Sequence, residues 1–331
     1  MAKKLRWGVL STAKIGVKSV IPALQASSNG EVVGLSSRNQ TSAQEVADQL
    51  HIPQAYGSYE ALLEADIDAV YNPLPNSLHK EWTIKALQAG KHVLCEKPLG
   101  VSAQECEEMA SVAQENGALL MEAFMYRFHP RFTKLTELLQ NGTIGELKLI
   151  RSTFSFKLKR EDDIRWQAGL GGGALYDVGC YCVNASRTLA GEEPSSVQAY
   201  AIWSETEGAE TGVDEVFVGA LRFPNGVLAQ FDCGLALERR EYLEVVGSRG
   251  QLELPDAFTT TADEVTITEK HEGEEDRTHC IGGENHYQKM AEHFAACVLE
   301  DKLLRYPADE AAANLRTIEA LYRSARNNSS V

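Results

Sequence analysis

The chain has 331 residues, of which 44% are hydrophobic and 24% charged. At roughly 100–200 residues per domain, this length predicts about two domains, each large enough to bury a core without disulfides. Lys and Arg number 32 and Asp and Glu 47, which gives a net charge of −15. Nucleic acid and anionic membranes are therefore excluded as partners, because both attract concentrated positive charge.

The cysteines and the apolar runs indicate a cytoplasmic protein without metal. Seven cysteines cannot all pair with one another, and a chain of this size does not depend on a disulfide framework. No cysteine pair has zinc-site spacing, and His286 and His293 have no third ligand in view. No run approaches the roughly 20 apolar residues of a membrane span, and the N-terminus lacks a cleavage-type signal.

The first third of the chain alternates short strands with amphipathic helices. Strand patterns cover residues 5–10, 31–36, 68–71, 92–95 and 118–123, and helical spacing covers 14–26, 41–50, 79–89 and 102–116. This alternation is typical of βαβ units around a parallel sheet. It predicts an N-terminal Rossmann domain over residues 1–123.

The pattern changes after residue 123. Predicted helices cover residues 130–140, 174–189, 285–299 and 309–325, and predicted strands cover 147–157, 196–202, 215–223, 227–233, 242–246 and 265–268. Asn225-Gly226 is a strong hairpin signal, and the acidic run 269–276 is expected to be a solvated loop at a hairpin tip. The predicted fold class is α/β: a Rossmann domain, then an α+β domain over residues 124–331 with a large, mostly antiparallel sheet.

The turn after the first strand is a candidate dinucleotide site. Overlaid on G-x-G-x-x-G, it keeps the third glycine, Gly16, while Ser11 and Ala13 replace the first two. The N-terminus of the following helix would present free N–H groups and a positive dipole to a pyrophosphate. The alternative is an ordinary strand-to-helix turn. The predicted cofactor-binding residues here are Ser11, Thr12, Ala13, Lys14 and Ile15.

The end of the second strand favours NADP over NAD. The position roughly 20 residues past the turn is where an acidic residue binds the ribose 2′-hydroxyl of NAD. Ser36-Ser37-Arg38 stands there instead. A serine hydroxyl and a planar guanidinium suit a 2′-phosphate, so Ser37 and Arg38 are predicted to bind it. The alternative is that Arg38 is a solvated loop arginine.

Two further segments carry groups suited to catalysis. Glu96-Lys97-Pro98 follows the predicted strand 92–95, and the carboxyl edge of an open α/β sheet is where ligands bind. Asp177 and Tyr181 follow a glycine triplet and, four residues apart, lie on one face of a helix. The alternatives are a solvated lysine and a core tyrosine bonded to the aspartate of its own helix.

Together these segments resemble the Gfo/Idh/MocA oxidoreductase family over essentially the whole chain. The motifs are Tyr71-Asn-Pro-Leu-Pro-Asn-Ser-Leu-His79, Gly90-Lys-His-Val-Leu-Cys-Glu-Lys-Pro98 and Asp177-x-x-x-Tyr181. Ile164-Arg-Trp166, the glycine triplet and Gly191-Glu-Glu-Pro194 are most similar to one subgroup. It contains NADP-dependent aldose dehydrogenases, trans-dihydrodiol dehydrogenases and glucose–fructose oxidoreductase.

The resemblance implies roles for individual residues. It implies that Lys97 stands by the nicotinamide and the reacting carbon, and that Asp177 and Tyr181 come from the second-domain helix. Members that resemble inositol dehydrogenase usually carry His at the position of Tyr181. Around the cofactor it places Asn72, Leu74, Pro75, Asn76, His79, Glu96 and Lys97. It also implies a homodimer or homotetramer.

Three residues near the start of the second domain are weaker candidates. Tyr126 and Trp166 are candidates for substrate binding, together with Asp177 and Tyr181, and Arg127 is a candidate for cofactor binding. Structural pairing of Arg127 and core packing of Trp166 are the alternatives.

These residues predict an NADP-dependent oxidoreductase acting on the CH–OH group of a sugar or cyclic polyol, most specifically a xylose- or glucose-type aldose 1-dehydrogenase. Tyrosine, with a pKa near about 10, is a poor base unless a cation stabilises its phenolate, and Lys97 would supply that cation. The alternatives are a trans-dihydrodiol dehydrogenase, an anhydrofructose-type keto-sugar reductase, or a non-catalytic NADP(H)-binding sensor.

Overall fold

The chain forms two compact units. The computed structural model describes residues 3–159, 162–204, 212–260 and 263–327. The first unit comprises Met1–Met125 and Asn285–Ala312, and the second comprises Tyr126–Glu284 and Ala313–Val331. This division differs from the predicted one chiefly in residues 285–312, which belong to the first unit.

The first unit is built on a parallel sheet, as predicted. Its strands are β1 (Leu5–Leu10), β2 (Gly30–Ser36), β3 (Gln54–Tyr56), β4 (Ala69–Asn72), β5 (His92–Cys95) and β6 (Leu120–Glu122). They are arranged in the order β3-β2-β1-β4-β5-β6, and every pair is parallel. The helices before residue 125 are α1 (Ile21–Ala26), α2 (Gln40–Gln49), α3 (Tyr59–Leu63), α4 (Asn76–Gln88) and α5 (Ala103–Glu115). The predicted helix over residues 14–26 forms, but its centre, Gly16–Val20, widens into a π turn.

The second unit is built on a large sheet that is mostly antiparallel, as predicted. After α6 (Pro130–Gln140) come β7 (Leu147–Lys157), α7 (Cys180–Ala190), β8 (Ser196–Trp203), β9 (Asp214–Arg222), β10 (Leu228–Gly234), β11 (Ala236–Gly247), β12 (Gln251–Pro255), β13 (Val265–Lys270) and β14 (Arg277–Ile281). Their order in the sheet is β14-β13-β12-β11-β7-β10-β9-β8. Among the described strands, only β7 and β10 pair in parallel. The chain ends with α8 (His286–Glu300) and α9 (Ala308–Asn327).

The acidic run over 269–276 is a solvated loop only in part, so that prediction is wrong for Glu269. This residue lies in β13, and its side chain is only 4% exposed. Its carboxylate lies 2.9 Å from His271 Nε2 and 2.8 Å from His279 Nε2, and Arg277 donates to it at 3.2 Å. The negative charge of the run alone predicts that its side chains are exposed to solvent. Partners on the neighbouring strand and turn, however, allow the carboxylate of Glu269 to be buried.

Helix α8 belongs to the first unit because its apolar face packs on α1, β1 and β2. The rings of Phe294 and Trp7, both fully buried, have centroids 5.3 Å apart. The side chain of Asn29 donates to the backbone carbonyl of Glu292 at 2.9 Å. Within the described residues, no helix combines the length and apolar composition that crossing a bilayer requires.

Replacing Phe294 with Ala tests this assignment. We expect Phe294→Ala to lower the free energy of unfolding by about 3–5 kcal/mol, because a fully buried ring leaves a cavity. Leu303→Ala is the control, since Leu303 lies in the same segment but is 93% exposed, and it should cost at most about 0.5 kcal/mol. Urea unfolding measures both. Equal losses in the two variants would contradict the packing of α8 on the first unit.

Candidate functional site

In the first unit, the loops after β1, β2, β4 and β5 leave the sheet at one edge. Because all of these strands are parallel, their carboxyl ends meet there. In the sheet, β2 and β3 lie on one side of β1, and β4, β5 and β6 lie on the other. The direction in which successive strands are added therefore reverses at β1. Ligands of open α/β sheets bind at such a switch. The predicted cofactor residues 11–15, 37–38, 72, 74–76 and 96–97 all lie on these loops or at the ends of the elements that flank them.

The turn after β1 has the backbone of a dinucleotide-binding turn without its usual residues. Ser11 is left-handed, with φ of 65°, the conformation that a first glycine adopts freely and that costs another residue about 1–2 kcal/mol. Ser11 Oγ accepts a hydrogen bond from the backbone N–H of Ala13 at 3.2 Å. The helix that begins at Lys14 then presents its N-terminus to this edge.

The end of β2 leaves one hydroxyl and one guanidinium for a ligand. Ser36 is buried, and its hydroxyl donates to the carbonyl of Val9 at 3.2 Å, so only Ser37 of the serine pair remains partly exposed. Arg38 is exposed beside Tyr59, where it opposes the rise in the pKa of Tyr59 caused by burial. No carboxylate among the described residues forms an ion pair with Arg38.

Asn72 shapes the loop after β4 with its side chain. The residue is fully buried. Its Nδ2 donates to Thr83 Oγ1 at 3.2 Å, and its Oδ1 accepts from the backbone N–H of Leu74 at 3.3 Å. The amide therefore holds the segment that leads into α4, in which Pro75 and Asn76 are partly exposed.

His79 joins the loop after β4 to the loop after β5. Its imidazole is buried, with Nε2 2.7 Å from the carbonyl oxygen of Leu74 and Nδ1 2.8 Å from that of Pro98. One side chain therefore contacts the backbone of both loops, and each loop carries predicted cofactor-binding residues.

Glu96 and Lys97 sit on a loop that is held on both sides. The buried carboxylate of Glu96 accepts the hydroxyl of Tyr71 at 2.7 Å. Burial and this carboxylate raise the pKa of Tyr71, so the phenol remains a donor. Beyond the cis peptide between Lys97 and Pro98, the backbone N–H of Leu99 donates to the carboxylate of Glu122 at 2.8 Å. Lys97 itself is half-buried.

In the second unit, Asp177 lies in a π turn, Leu175–Gly179, that leads into α7. Its Oδ2 accepts a hydrogen bond from Nε of Arg165 at 2.7 Å, and Arg165 also donates to Asp163 at 3.2 Å. Asp177 raises the pKa of Arg165, so the guanidinium stays charged. The segment Ile164-Arg-Trp166 contributes to the family resemblance, but the sequence predicts no role for Arg165.

The glycine triplet brings Arg165 to this turn. The backbone N–H of Gly173 donates to the carbonyl of Arg165 at 2.9 Å. A Cβ on Gly172 would lie 2.4 Å from that carbonyl oxygen, closer than any side chain allows. The triplet therefore allows a close backbone approach, which glycine permits because it has no Cβ.

Tyr181 belongs to a buried aromatic cluster. Its ring centroid lies 5.9 Å from that of Tyr126, 5.5 Å from that of Phe154 and 5.6 Å from that of Phe258. The hydroxyl of Tyr126 donates to Asn184 at 2.6 Å. The candidate Tyr126 thus lies in the interior of the second unit.

The two other candidates of this unit differ in burial. Arg127 is buried, whereas Trp166 is half-buried on the 3-10 turn Ile164–Trp166. The described residues contain no group of three His, Cys, Asp or Glu side chains arranged to hold a metal ion.

Comparison with known families agrees with this architecture. Residues 5–124 match an oxidoreductase family with an NAD-binding Rossmann fold, and residues 132–253 match the GFO/IDH/MocA C-terminal domain. The fold and the loops at the sheet edge thus define a nicotinamide-dependent oxidoreductase. The chain belongs to the Gfo/Idh/MocA family.

The similarity extends over the full length of several relatives. The chain is 40% identical to D-xylose 1-dehydrogenase (NADP(+)) 2 of Haloferax volcanii over 99% of both chains. It is 35% identical to trans-1,2-dihydrobenzene-1,2-diol dehydrogenase of Mus musculus over 78% of this chain and 76% of the relative. A 3-ketoreductase from Actinomadura kijaniata, solved in complex with NADP and TDP-benzene, has a TM-score of 0.92 and 31% identity and covers 97% of this chain and 98% of its own.

Arg165 offers a test of the second-unit geometry. We expect Arg165→Ala to lower turnover at least about tenfold, because Asp177 loses the guanidinium that orients it. The free energy of unfolding should fall by about 1–3 kcal/mol, the cost of removing a hydrogen-bond partner from a largely buried acceptor, because the Asp177 side chain is only 16% exposed. Arg165→Lys keeps the charge but not the fork that spans Asp163 and Asp177, so its turnover should be intermediate. Steady-state kinetics that are unchanged in Arg165→Ala would contradict this role.

Proposed function

We propose that the protein is an NADP-dependent oxidoreductase of sugars and, most specifically, an aldose 1-dehydrogenase of xylose or glucose type. The proposal rests above all on the full-length similarity to the D-xylose enzyme of Haloferax volcanii. The residues on the loops of the first unit and on α7 of the second fit this chemistry.

The first unit would hold the cofactor through the loops at the sheet edge. The turn of residues 11–15 would bind the pyrophosphate at a helix N-terminus, and Ser37 and Arg38 would bind the 2′-phosphate. The segments 74–76 and 96–97 would line the nicotinamide side. When bound, NADP supplies the acceptor for a hydride from the sugar carbon.

The chain's own residues would move the proton and hold the substrate. The ammonium group of Lys97 stabilises negative charge on the reacting oxygen and lowers the cost of a tyrosine phenolate. Tyr181 takes the hydroxyl proton in oxidation and returns it in reduction. Asp177, oriented by Arg165, binds a substrate hydroxyl.

The family resemblance also leads us to propose a homodimer or homotetramer. The outer face of β8, β9 and β10 exposes large apolar side chains, of which Tyr200 is 56% and Ile202 61% exposed. Tyr200 pairs across the strands with Val218, which is 48% exposed. An exposed apolar face of this kind favours association with another copy.

Lys97→Met tests the chemistry directly. Methionine keeps the length of the side chain but removes the ammonium group, so turnover should fall by about 10²–10³-fold, the range for loss of one group that stabilises charge in the transition state. The dissociation constant for NADPH, measured by fluorescence titration, should stay close to that of the unmodified protein. Lys148→Met, at an exposed lysine paired with Glu146, controls for the loss of a positive charge. Near-normal turnover of Lys97→Met with intact NADPH binding would refute the role of Lys97.

Arg38→Ala tests the choice of cofactor. Loss of a charge-assisted hydrogen bond worth about 1.5–3 kcal/mol predicts about 10–150-fold weaker NADP binding. NAD binding should be unchanged, because NAD lacks the 2′-phosphate that Arg38 would contact, and NAD therefore serves as the internal control. An equal loss of affinity for both cofactors would show that Arg38 supports the fold and does not read the 2′-phosphate.

A further inference from the structure

The second unit contains a cavity that the proposed reaction does not use. Its volume is about 310 Å³, and it lies where β8 ends, β9 begins and the last turns of α9 pass. Three aromatic rings, two arginines and two carboxylates line it, whereas Asp177 and Tyr181 do not. A volume of this size is at the lower end of the range for small-molecule sites, roughly 300–1,000 Å³.

The aromatic rings give the cavity apolar surfaces. The ring of Tyr322 has its centroid 5.3 Å from that of Tyr176 and 6.1 Å from that of Trp203. The rings are tilted by 49° and 32°, so their faces point in different directions. Tyrosine and tryptophan combine an apolar face with a polar edge, and this combination suits the C–H faces and hydroxyl groups of a sugar.

Two arginines bring positive charge to the cavity. Arg326 lies over two rings, with its guanidinium carbon 5.4 Å from the Trp203 centroid and 5.9 Å from that of Tyr322. Among the described residues, neither Arg326 nor Arg323 forms an ion pair with a carboxylate. In a chain with 47 acidic and 32 basic residues, two such arginines at one cavity point to an anionic ligand.

The buried carboxyl group of the cavity, that of Asp214, already has hydrogen-bond donors within the protein. Asp214 is 1% exposed and accepts the hydroxyl of Tyr322 at 2.7 Å and the backbone N–H of Leu175 at 2.6 Å. Burial raises the pKa of Asp214 to about 7, whereas Arg326 acts in the opposite direction. Glu319, on the same helix as the arginines, is the other carboxylate. Because the carboxyl group of Asp214 is buried and already bonded to Tyr322 and Leu175, the exposed guanidinium groups remain the groups that a ligand would meet.

We propose that this cavity binds a sugar acid, a small polyhydroxylated molecule with one carboxylate. A guanidinium matches a carboxylate with two parallel hydrogen bonds, and the aromatic rings match the carbon skeleton. The choice of a sugar acid rests in part on the proposed function, because an aldose oxidised at its first carbon gives a lactone, which water opens to such an acid. The cavity would then be a second site, for the hydrolysed product.

Calorimetric titration of the full chain with D-gluconate tests the proposal. We expect saturable binding that weakens at least about tenfold in the double variant Arg323→Gln, Arg326→Gln. Because both side chains are exposed, these changes should leave the fold intact, as circular dichroism can verify. Arg316→Gln is the matched control, since Arg316 is an exposed arginine of α9 outside the cavity lining. Acetate tests whether the carboxylate alone is sufficient, and we expect it to bind at least about tenfold more weakly than gluconate.

A second comparison separates this cavity from the proposed catalytic residues. Lys97→Met should leave gluconate binding unchanged. The cavity proposal is overturned if the unmodified protein shows no saturable binding, or if gluconate binding is lost in Lys97→Met but kept in the double arginine variant. It is also overturned if acetate binds as tightly as gluconate. A failure of the proposed function has a different signature, namely no oxidation of any aldose while gluconate binding still depends on Arg323 and Arg326.

Discussion

The first unit depends on hydrogen bonds between the two loops that leave β4 and β5. Parallel strands bring these loops to one edge, where their backbone carbonyls need partners as they leave the sheet. The imidazole of His79 is neutral, because burial lowers its pKa to about 4; it donates to the carbonyl oxygen of one loop and lies against that of the other. The hydroxyl of Tyr71 in β4 donates to Glu96 beyond β5. Lys97 lies between these contacts, on a loop that side chains of the first unit hold on both sides. Catalytic groups held in this way need little reorganisation during the reaction.

The second unit positions its polar group by different means. Asp177 is oriented by a half-exposed ion pair with Arg165, and the close approach of a glycine segment to the Arg165 carbonyl makes that pair possible. In both units the helix that carries predicted site residues contains a π turn, at Gly16–Val20 and at Leu175–Gly179. Such turns occur often at functional sites, because they shift the register of the side chains around them.

Sequence reasoning predicted the elements whose signals are local. The apolar runs of β1, β2, β4, β5 and β6 are continuous because parallel strands are buried on both faces. β3 and α3, with three and five residues, are too short for a periodic pattern. Burial of Glu269 and of the Ser36 hydroxyl depends on partners distant in sequence. An amphipathic pattern likewise shows that α8 has an apolar face but not that the face covers Trp7. The spacing of the motifs does not predict a role for Arg165, because backbone contacts of the glycine triplet bring it close to Asp177.

The loops of the first unit are expected to bind NADP for the oxidation of an aldose. The most direct test is the rate of NADPH or NADH formation by the full chain with D-xylose, D-glucose, a trans-dihydrodiol and sorbitol, each supplied with NADP and with NAD. The reverse reaction with a keto-sugar and NADPH completes the set. We expect D-xylose or D-glucose to be oxidised, and the rate of oxidation to be much higher with NADP than with NAD. Oxidation of aldoses only with NAD, or no oxidation of any aldose by a chain that binds NADPH, would contradict it.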